Sequence, residues 1–170
     1  MNKNLRRRLL FQNVSLPEKT FVYEKGSSKL SKGKFGYTSG DVKISSSWLG
    51  GYTFTVRSEE ASEGYYYGAM AEITGVDFTE FTTLHIDGSV TEYLSFADIA
   101  VGYGYNSGTY EWQKDSSTWK AREKLSKNGA FSVDISISRV NGQTPILIMA
   151  YGGSSNGDYA AIQINNIWLE

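Results

Sequence analysis

The stretch FSVDISIS, residues 131–138, alternates strictly between apolar and polar side chains. Such alternation is typical of a β-strand with one face in the core and the other in water. Further along, ILIMAY (146–151) is apolar on both faces, as expected of a strand buried within a sheet, and AIQINNIWL (161–169) supplies another strand. These strands are stable only if other strands supply a second sheet. The stretch therefore predicts a β-sandwich.

Two details of this region carry further predictions. The Asn-Gly pair within Val140–Gln143 is typical of a tight hairpin turn. In the last strand, Ile162 and Ile164 share one parity and Ile167 and Leu169 share the other, which predicts a bulge at Asn165-Asn166. Trp168 should then face outward or lie along the sheet edge. We also expect this strand to lie beside Phe21–Glu24, because the ends of a compact domain often meet.

The rest of the chain extends the same pattern. Alternating runs predict further strands, including 52–57, 65–73 and 99–105, whereas Ser27–Gly40 is interpreted as an exposed loop. Residues 118–125 fit either a strand or a short helix. Val76, Phe78 and Phe81 should plug one end of the core. About nine or ten strands, with turn signals between them, predict an all-β, antiparallel sandwich of jelly-roll type.

The 170 residues suggest one sandwich domain, residues 21–170, preceded by a segment of different character, residues 1–20. That segment is either an unpacked tail or a docking segment for a neighbour, because exposed apolar clusters usually have a partner. Its candidate docking residues are Arg6, Arg7, Arg8, Leu9, Leu10 and Phe11.

Composition excludes several classes of function. The chain has no cysteine and a formal net charge of −1, so it offers no thiol chemistry and no global field for nucleic acid. Its longest apolar run is far below the ~18 residues of a membrane span. The apolar part after the arginines is too short for a signal peptide, so we expect a soluble protein with no export by that route.

Aromatic side chains make up 14% of the residues and suggest a binding surface. Sugar rings present an apolar face that Trp and Tyr rings can cover, while neighbouring polar groups bond the hydroxyls. Tyr103 and Tyr105 share a face with Ile99 and Val101 and are expected in the core. The candidate ligand-binding residues are Tyr66, Tyr110, Trp112, Gln113, Trp119 and Arg122.

Catalysis finds little support in the sequence. His85, the one histidine, lies between Leu84 and Ile86 and should point away from their face as a surface or rim residue. A metal site needs several converging ligands, and a second histidine is absent. Carboxylates such as Glu111 and Asp134 could serve glycoside hydrolysis, but no pattern places them in a pocket. We expect no catalytic residue, metal or cofactor.

Three short pieces carry a family resemblance. The start, Arg6–Phe11 followed by FVYEKG (21–26), together with ITGVDFTEFTTLHIDG (73–88) and AAIQINNIWLE (160–170), resembles small tail or appendage proteins of phages and prophages of Firmicutes. The same pieces resemble carbohydrate-binding-module-like jelly rolls. Ser27-Ser28-Lys29 replaces the acidic, Cys-containing segment of many relatives, so a calcium or disulfide feature there is not expected.

The resemblance implies a virion-associated, non-catalytic protein that contacts host cell-surface carbohydrate. Its partners would be other virion or tail proteins, or further copies of itself. Two alternatives stay open: a purely structural assembly protein of the virion, and an accessory or catalytic domain of a glycoside hydrolase. The sequence names no glycan and no copy number.

Overall fold

A computed structural model describes residues 18–58, 68–104, 119–152 and 157–170. These residues contain eleven β-strands and no helix. Every pairing between the strands is antiparallel. The strands are β1 (Thr20–Tyr23), β2 (Lys34–Ser39), β3 (Asp41–Ser46), β4 (Tyr52–Arg57), β5 (Gly68–Thr74), β6 (Thr83–Glu92), β7 (Asp98–Gly104), β8 (Trp119–Leu125), β9 (Gly129–Ser136), β10 (Ile146–Tyr151) and β11 (Ala161–Leu169).

The strands form two sheets. The six-stranded sheet runs β3-β4-β11-β6-β9, with β1 also paired to β11. The five-stranded sheet runs β2-β5-β10-β7-β8. The two inner faces pack on one another, which confirms the predicted antiparallel sandwich of jelly-roll type.

Strand β11 lies in the middle of the six-stranded sheet. One of its edges pairs with β6, and the other pairs first with β4 and then with β1. The predicted neighbourhood of β1 and the last strand is therefore confirmed. The register shifts between Ile164 and Asn166, which confirms the bulge.

The bulge keeps the whole apolar set of β11 in the core. Ile162, Ile164, Ile167 and Leu169 are all buried, although they change parity along the strand. The Asn166 amide donates to both carboxylate oxygens of Asp87, at 3.1 and 3.2 Å, and accepts the Lys25 N–H at 3.1 Å. These bonds hold the extra residue in place.

One end of the core is closed as expected. Val76 and Phe78 are buried, and the Phe78 ring packs edge-on against Tyr103 at 5.7 Å. Tyr103 is itself a core residue, as predicted, whereas Tyr105 lies outside the described residues.

The segment Ser27–Gly40 is not a loop throughout, and that interpretation is wrong. Its second half forms β2, the edge strand beside β5. Phe35 anchors it, because its ring lies 5.4 Å from the Phe54 ring of the opposite sheet in an edge-on arrangement. Phe35 is partly buried and packs on the core, whereas the polar and glycine residues beside it give only a weak strand signal in the sequence.

The Asn-Gly turn does not make a hairpin. Strand β9 belongs to the six-stranded sheet and β10 to the other, so Val140–Gln143 carries the chain between sheets. Gly142 alone has the positive φ, 82°. Its N–H donates to the Thr79 hydroxyl at 2.9 Å and its carbonyl accepts from Phe78, so the turn is bound to the core plug.

Candidate functional site

Two of the predicted ligand-binding residues, Trp119 and Arg122, lie in the described structure. Both belong to β8, an edge strand of the five-stranded sheet. Cross-strand pairing places Arg122 opposite Gly102 and Lys124 opposite Ala100, on the outer face of that sheet. Tyr66, Tyr110, Trp112 and Gln113, with the docking residues of the N-terminal segment, lie outside the described residues.

The outer face of the five-stranded sheet carries a second apolar cluster. Met70, Leu147 and Met149 are fully buried there, together with Ala100 and Trp119. Strand β10 consequently has packed side chains on both faces, which explains why its sequence is apolar throughout.

The polar sequence around Trp119 favours an exposed ring, and that expectation is wrong, because the ring is 6% exposed. Of the two alternatives for residues 118–125, the structure shows the strand, and Trp119 is its first residue. The Arg122 guanidinium lies 5.4 Å from the Trp119 ring centroid and forms an ion pair with Asp98. Whether these residues also bind a ligand stays a prediction.

Ala100, Gly102 and Gly104 form a face of small residues on β7, and such a face predicts that a second chain or a ligand approaches the backbone closely. The structure explains the central glycine differently. At Gly102, a Cβ would lie 2.1 Å from the backbone oxygen of Ala121 on β8. The glycine is therefore required by the neighbouring strand.

The surface has one prominent apolar feature among the described residues, at the β3–β4 turn. Trp48 is 92% exposed and Leu49 77% exposed, and Tyr52, the first residue of β4, is 42% exposed. The Ser47 N–H donates to the Gly51 carbonyl at 2.9 Å, and the Gly50 N–H donates to the Ser47 carbonyl at 3.0 Å. Gly50 and Gly51 supply the positive φ values, 84° and 91°.

Comparisons with known proteins find similar solved structures, of which two are described here. No family model matches the chain, and no curated protein matches it. The chain is similar to the enzymatically active domain of tailspike protein 4 of bacteriophage CBA120, at 11% identity and a TM-score of 0.49. That match covers 88% of this chain and 21% of the tailspike chain.

The second similar structure is CBM28, a carbohydrate-binding module specific for non-crystalline cellulose. It has 11% identity and a TM-score of 0.43, covering 86% of this chain and 96% of the module. No residue role is carried over from either protein. The site must be judged on its own geometry.

Sequence reasoning overlooked the exposed apolar residues of the β3–β4 turn, although a signal was present. Trp48-Leu49 stands directly before Gly50-Gly51, and paired glycines mark a turn. Turns lie at the surface, so large apolar residues placed there are exposed. The turn was anticipated, but its apolar residues were not read as a binding feature.

His85 lies on the outer face of the six-stranded sheet, away from Leu84 and Ile86 as predicted. It is buried there, because the Trp168 ring stacks on the imidazole at 4.6 Å and 6°. Its Nδ1 lies 2.6 Å from Asp134, and its Nε2 lies 3.0 Å from Glu170. The imidazole thus links β6, β9 and the end of β11.

The cluster around His85 is not arranged as a metal centre. Among the described residues, no group of three His, Asp or Glu side chains is arranged to hold a metal ion. Trp168, whose ring also lies under the Lys19 ammonium at 4.7 Å, offers no free platform. Within the residues that the structure describes, no helix is long and apolar enough to cross a membrane.

Proposed function

We propose that this chain is a non-catalytic, virion-associated β-sandwich that binds cell-surface glycans through exposed aromatic side chains. The virion assignment rests on the resemblance of the three sequence pieces described above. The observation that supports glycan binding is the exposure of Trp48 on a turn fixed by hydrogen bonds.

The exposed aromatic side chain of the β3–β4 turn fits a sugar ring. An indole ring in water can stack on the apolar face of a pyranose, and the short backbone turn limits the entropy lost on binding. A Cβ at Gly51 would lie 3.8 Å from the Gly26 Cα, so the turn lies against the stretch of chain that carries the exposed Lys25.

The test is a glycan array followed by saturation-transfer NMR on the full chain. An aromatic anchor at the centre of a site is worth about 2 kcal/mol. Trp48→Ala should therefore weaken binding at least tenfold. Phe96→Ala is the matched control, since Phe96 is 52% exposed in a different turn.

Trp112→Ala belongs to the same experiment, because Trp112 is the other predicted anchor. Binding that survives both Trp48→Ala and Trp112→Ala would end this proposal. Turnover of a glycan that disappears with Glu111→Gln or Asp134→Asn would contradict the non-catalytic assignment.

A structural role in assembly is the second candidate. Leu49, beside Trp48, supports it, because an exposed leucine adds nothing to a sugar site but fills a pocket on a protein partner. This role would be favoured if the chain bound no sugar on a glycan array and associated with itself in solution.

A further inference from the structure

A cleft of about 490 Å³ opens at the end of the sandwich where β1 begins and β11 ends. Its walls combine apolar and charged side chains: Val76, Phe81 and Leu169 on one hand, and Asp77, Glu80 and Lys32 on the other. That volume lies within the range of about 300–1,000 Å³ typical of ligand sites.

The negative charge of the cleft comes from Asp77 and Glu80. The hydroxyl and the N–H of Thr79 both donate to Asp77, at 2.6 and 2.9 Å. These bonds lower the pKa of the Asp77 carboxyl, which therefore stays ionised at neutral pH. Glu80 is exposed on the rim. Two carboxylates against one lysine favour a basic occupant.

The chain carries a segment of matching chemistry. Arg6, Arg7 and Arg8 supply three positive charges, and Leu9, Leu10 and Phe11 follow directly with three apolar side chains. Arginine pairs with carboxylates in two-pronged hydrogen bonds, and the apolar side chains suit the partly exposed Phe81 on the cleft wall.

The position of β1 connects this segment to the cleft. Thr20, the first residue of β1, lines the cleft itself. Lys19 and Phe21 both contact the Trp168 ring, so their side chains lie on the same face. The alternating pattern of β1 therefore continues back to Lys19. The chain is thus still running along the strand direction, out of this end of the sandwich, where the described part begins.

We propose that residues 6–11 of one copy dock in this cleft of a second copy, and that two copies exchange these segments around a two-fold axis. The described chain begins at the same end as the cleft, so two copies facing each other at this end would make the same contact twice and the assembly would close as a dimer. Eight residues lie between Phe11 and Thr20, and these nine steps along the chain can span up to roughly 30 Å.

The experiment is sedimentation velocity on the full chain over a concentration series. The wild-type chain should show a concentration-dependent dimer. Glu80→Arg should raise its dissociation constant by about tenfold or more, because it opposes the arginines. Leu10→Asp should have a similar effect, since it places a charge against the apolar wall. Glu92→Arg is the control, as an exposed carboxylate that does not line the cleft.

A charge swap separates exchange between copies from docking within one chain. Arg7→Glu alone should weaken the dimer, as Glu80→Arg does. When the two variants are mixed, the unaltered segment of the Glu80→Arg chain meets the unaltered cleft of the Arg7→Glu chain. One of the two contacts is then native, so a mixed dimer should form more readily than either variant dimerises alone. Docking within one chain gives no such rescue.

Three results would overturn the proposal: a wild-type chain that stays monomeric at all concentrations, a dimer indifferent to both Glu80→Arg and Leu10→Asp, or a mixture without recovered dimer. The inference does not depend on glycan binding, which is measured at Trp48 on a different loop. Either one can fail while the other stands.

Discussion

Trp48 and Trp119 show how one residue type takes opposite environments. Trp48 stands on a tight turn and is 92% exposed, whereas Trp119 is buried on the outer face of the five-stranded sheet. The sequence around Trp119 is polar and favoured an exposed ring. Its burial depends on the distant Met70 and Met149, so local pattern alone could not reveal it.

Stability measurements should separate the two tryptophans. Trp119→Ala should lower the free energy of unfolding by about 3–5 kcal/mol, the usual cost of truncating a buried tryptophan. Trp48→Ala should change it by less than about 0.5 kcal/mol, as is common for surface substitutions. Urea unfolding followed by circular dichroism measures both. Equal effects would contradict the burial assigned here.

Tyr23 makes a prediction about alkaline pH. Burial raises the pKa of its phenol above the ordinary 10.0, and the Phe54 backbone offsets part of this rise. The unfolded chain therefore loses the proton first as pH increases. Stability is full below about pH 10 and falls above it.

Urea midpoints of the wild type and Tyr23→Phe, compared between about pH 8 and about pH 11, test this. Other groups titrate over the same range, so the informative quantity is the difference between the two proteins. The variant should lose less stability on the alkaline side. Parallel curves for the two proteins would show that the Tyr23 phenol does not contribute.

At the scale of elements, the bulge in β11 was the most detailed prediction that the structure confirms. It was readable because two pairs of large apolar residues of opposite parity cannot both face the core in a regular strand. The predicted hairpin between β9 and β10 was wrong for a related reason. A turn signal tells where the chain bends, but the sheet that receives the next strand depends on distant partners.

Gly102 determines how closely β7 and β8 can pair. Gly102→Ala puts a methyl group against the Ala121 carbonyl, and the strands must shift to accept it. We expect a loss of about 1–3 kcal/mol, as for other overpacked sites. The matched control is Lys124→Ala on the neighbouring strand, whose exposed side chain can be removed without a clash. Unchanged stability of Gly102→Ala would restore the idea that the small residue serves a ligand.

At the scale of the molecule, the sequence predicted the class, the antiparallel arrangement and the packing of the two chain regions β1 and β11. It could not predict the division of strands between sheets, because alternation reports which face is buried and not which sheet a strand joins. The site was the weakest prediction. Exposure of an aromatic ring is a property of the assembled surface.

Removal of residues 1–17 tests the role of the N-terminal segment. Thermal stability should stay within a few degrees in dilute solution, because both sheets have large buried clusters in the described part of the chain, which begins after this segment. Concentration-dependent association should disappear. A large fall in melting temperature would show that the segment contributes to the core of its own chain.

The central strands β10 and β11 follow all the others in the sequence. During translation, the nascent chain therefore emerges from the ribosome with the middle of each sheet missing. β5 and β7 have no strand between them until β10 is synthesised, and β4 and β6 have none until β11 is synthesised. Folding of this protein is consequently expected after synthesis of Leu169, so a prematurely terminated chain is an unfolded substrate for proteases.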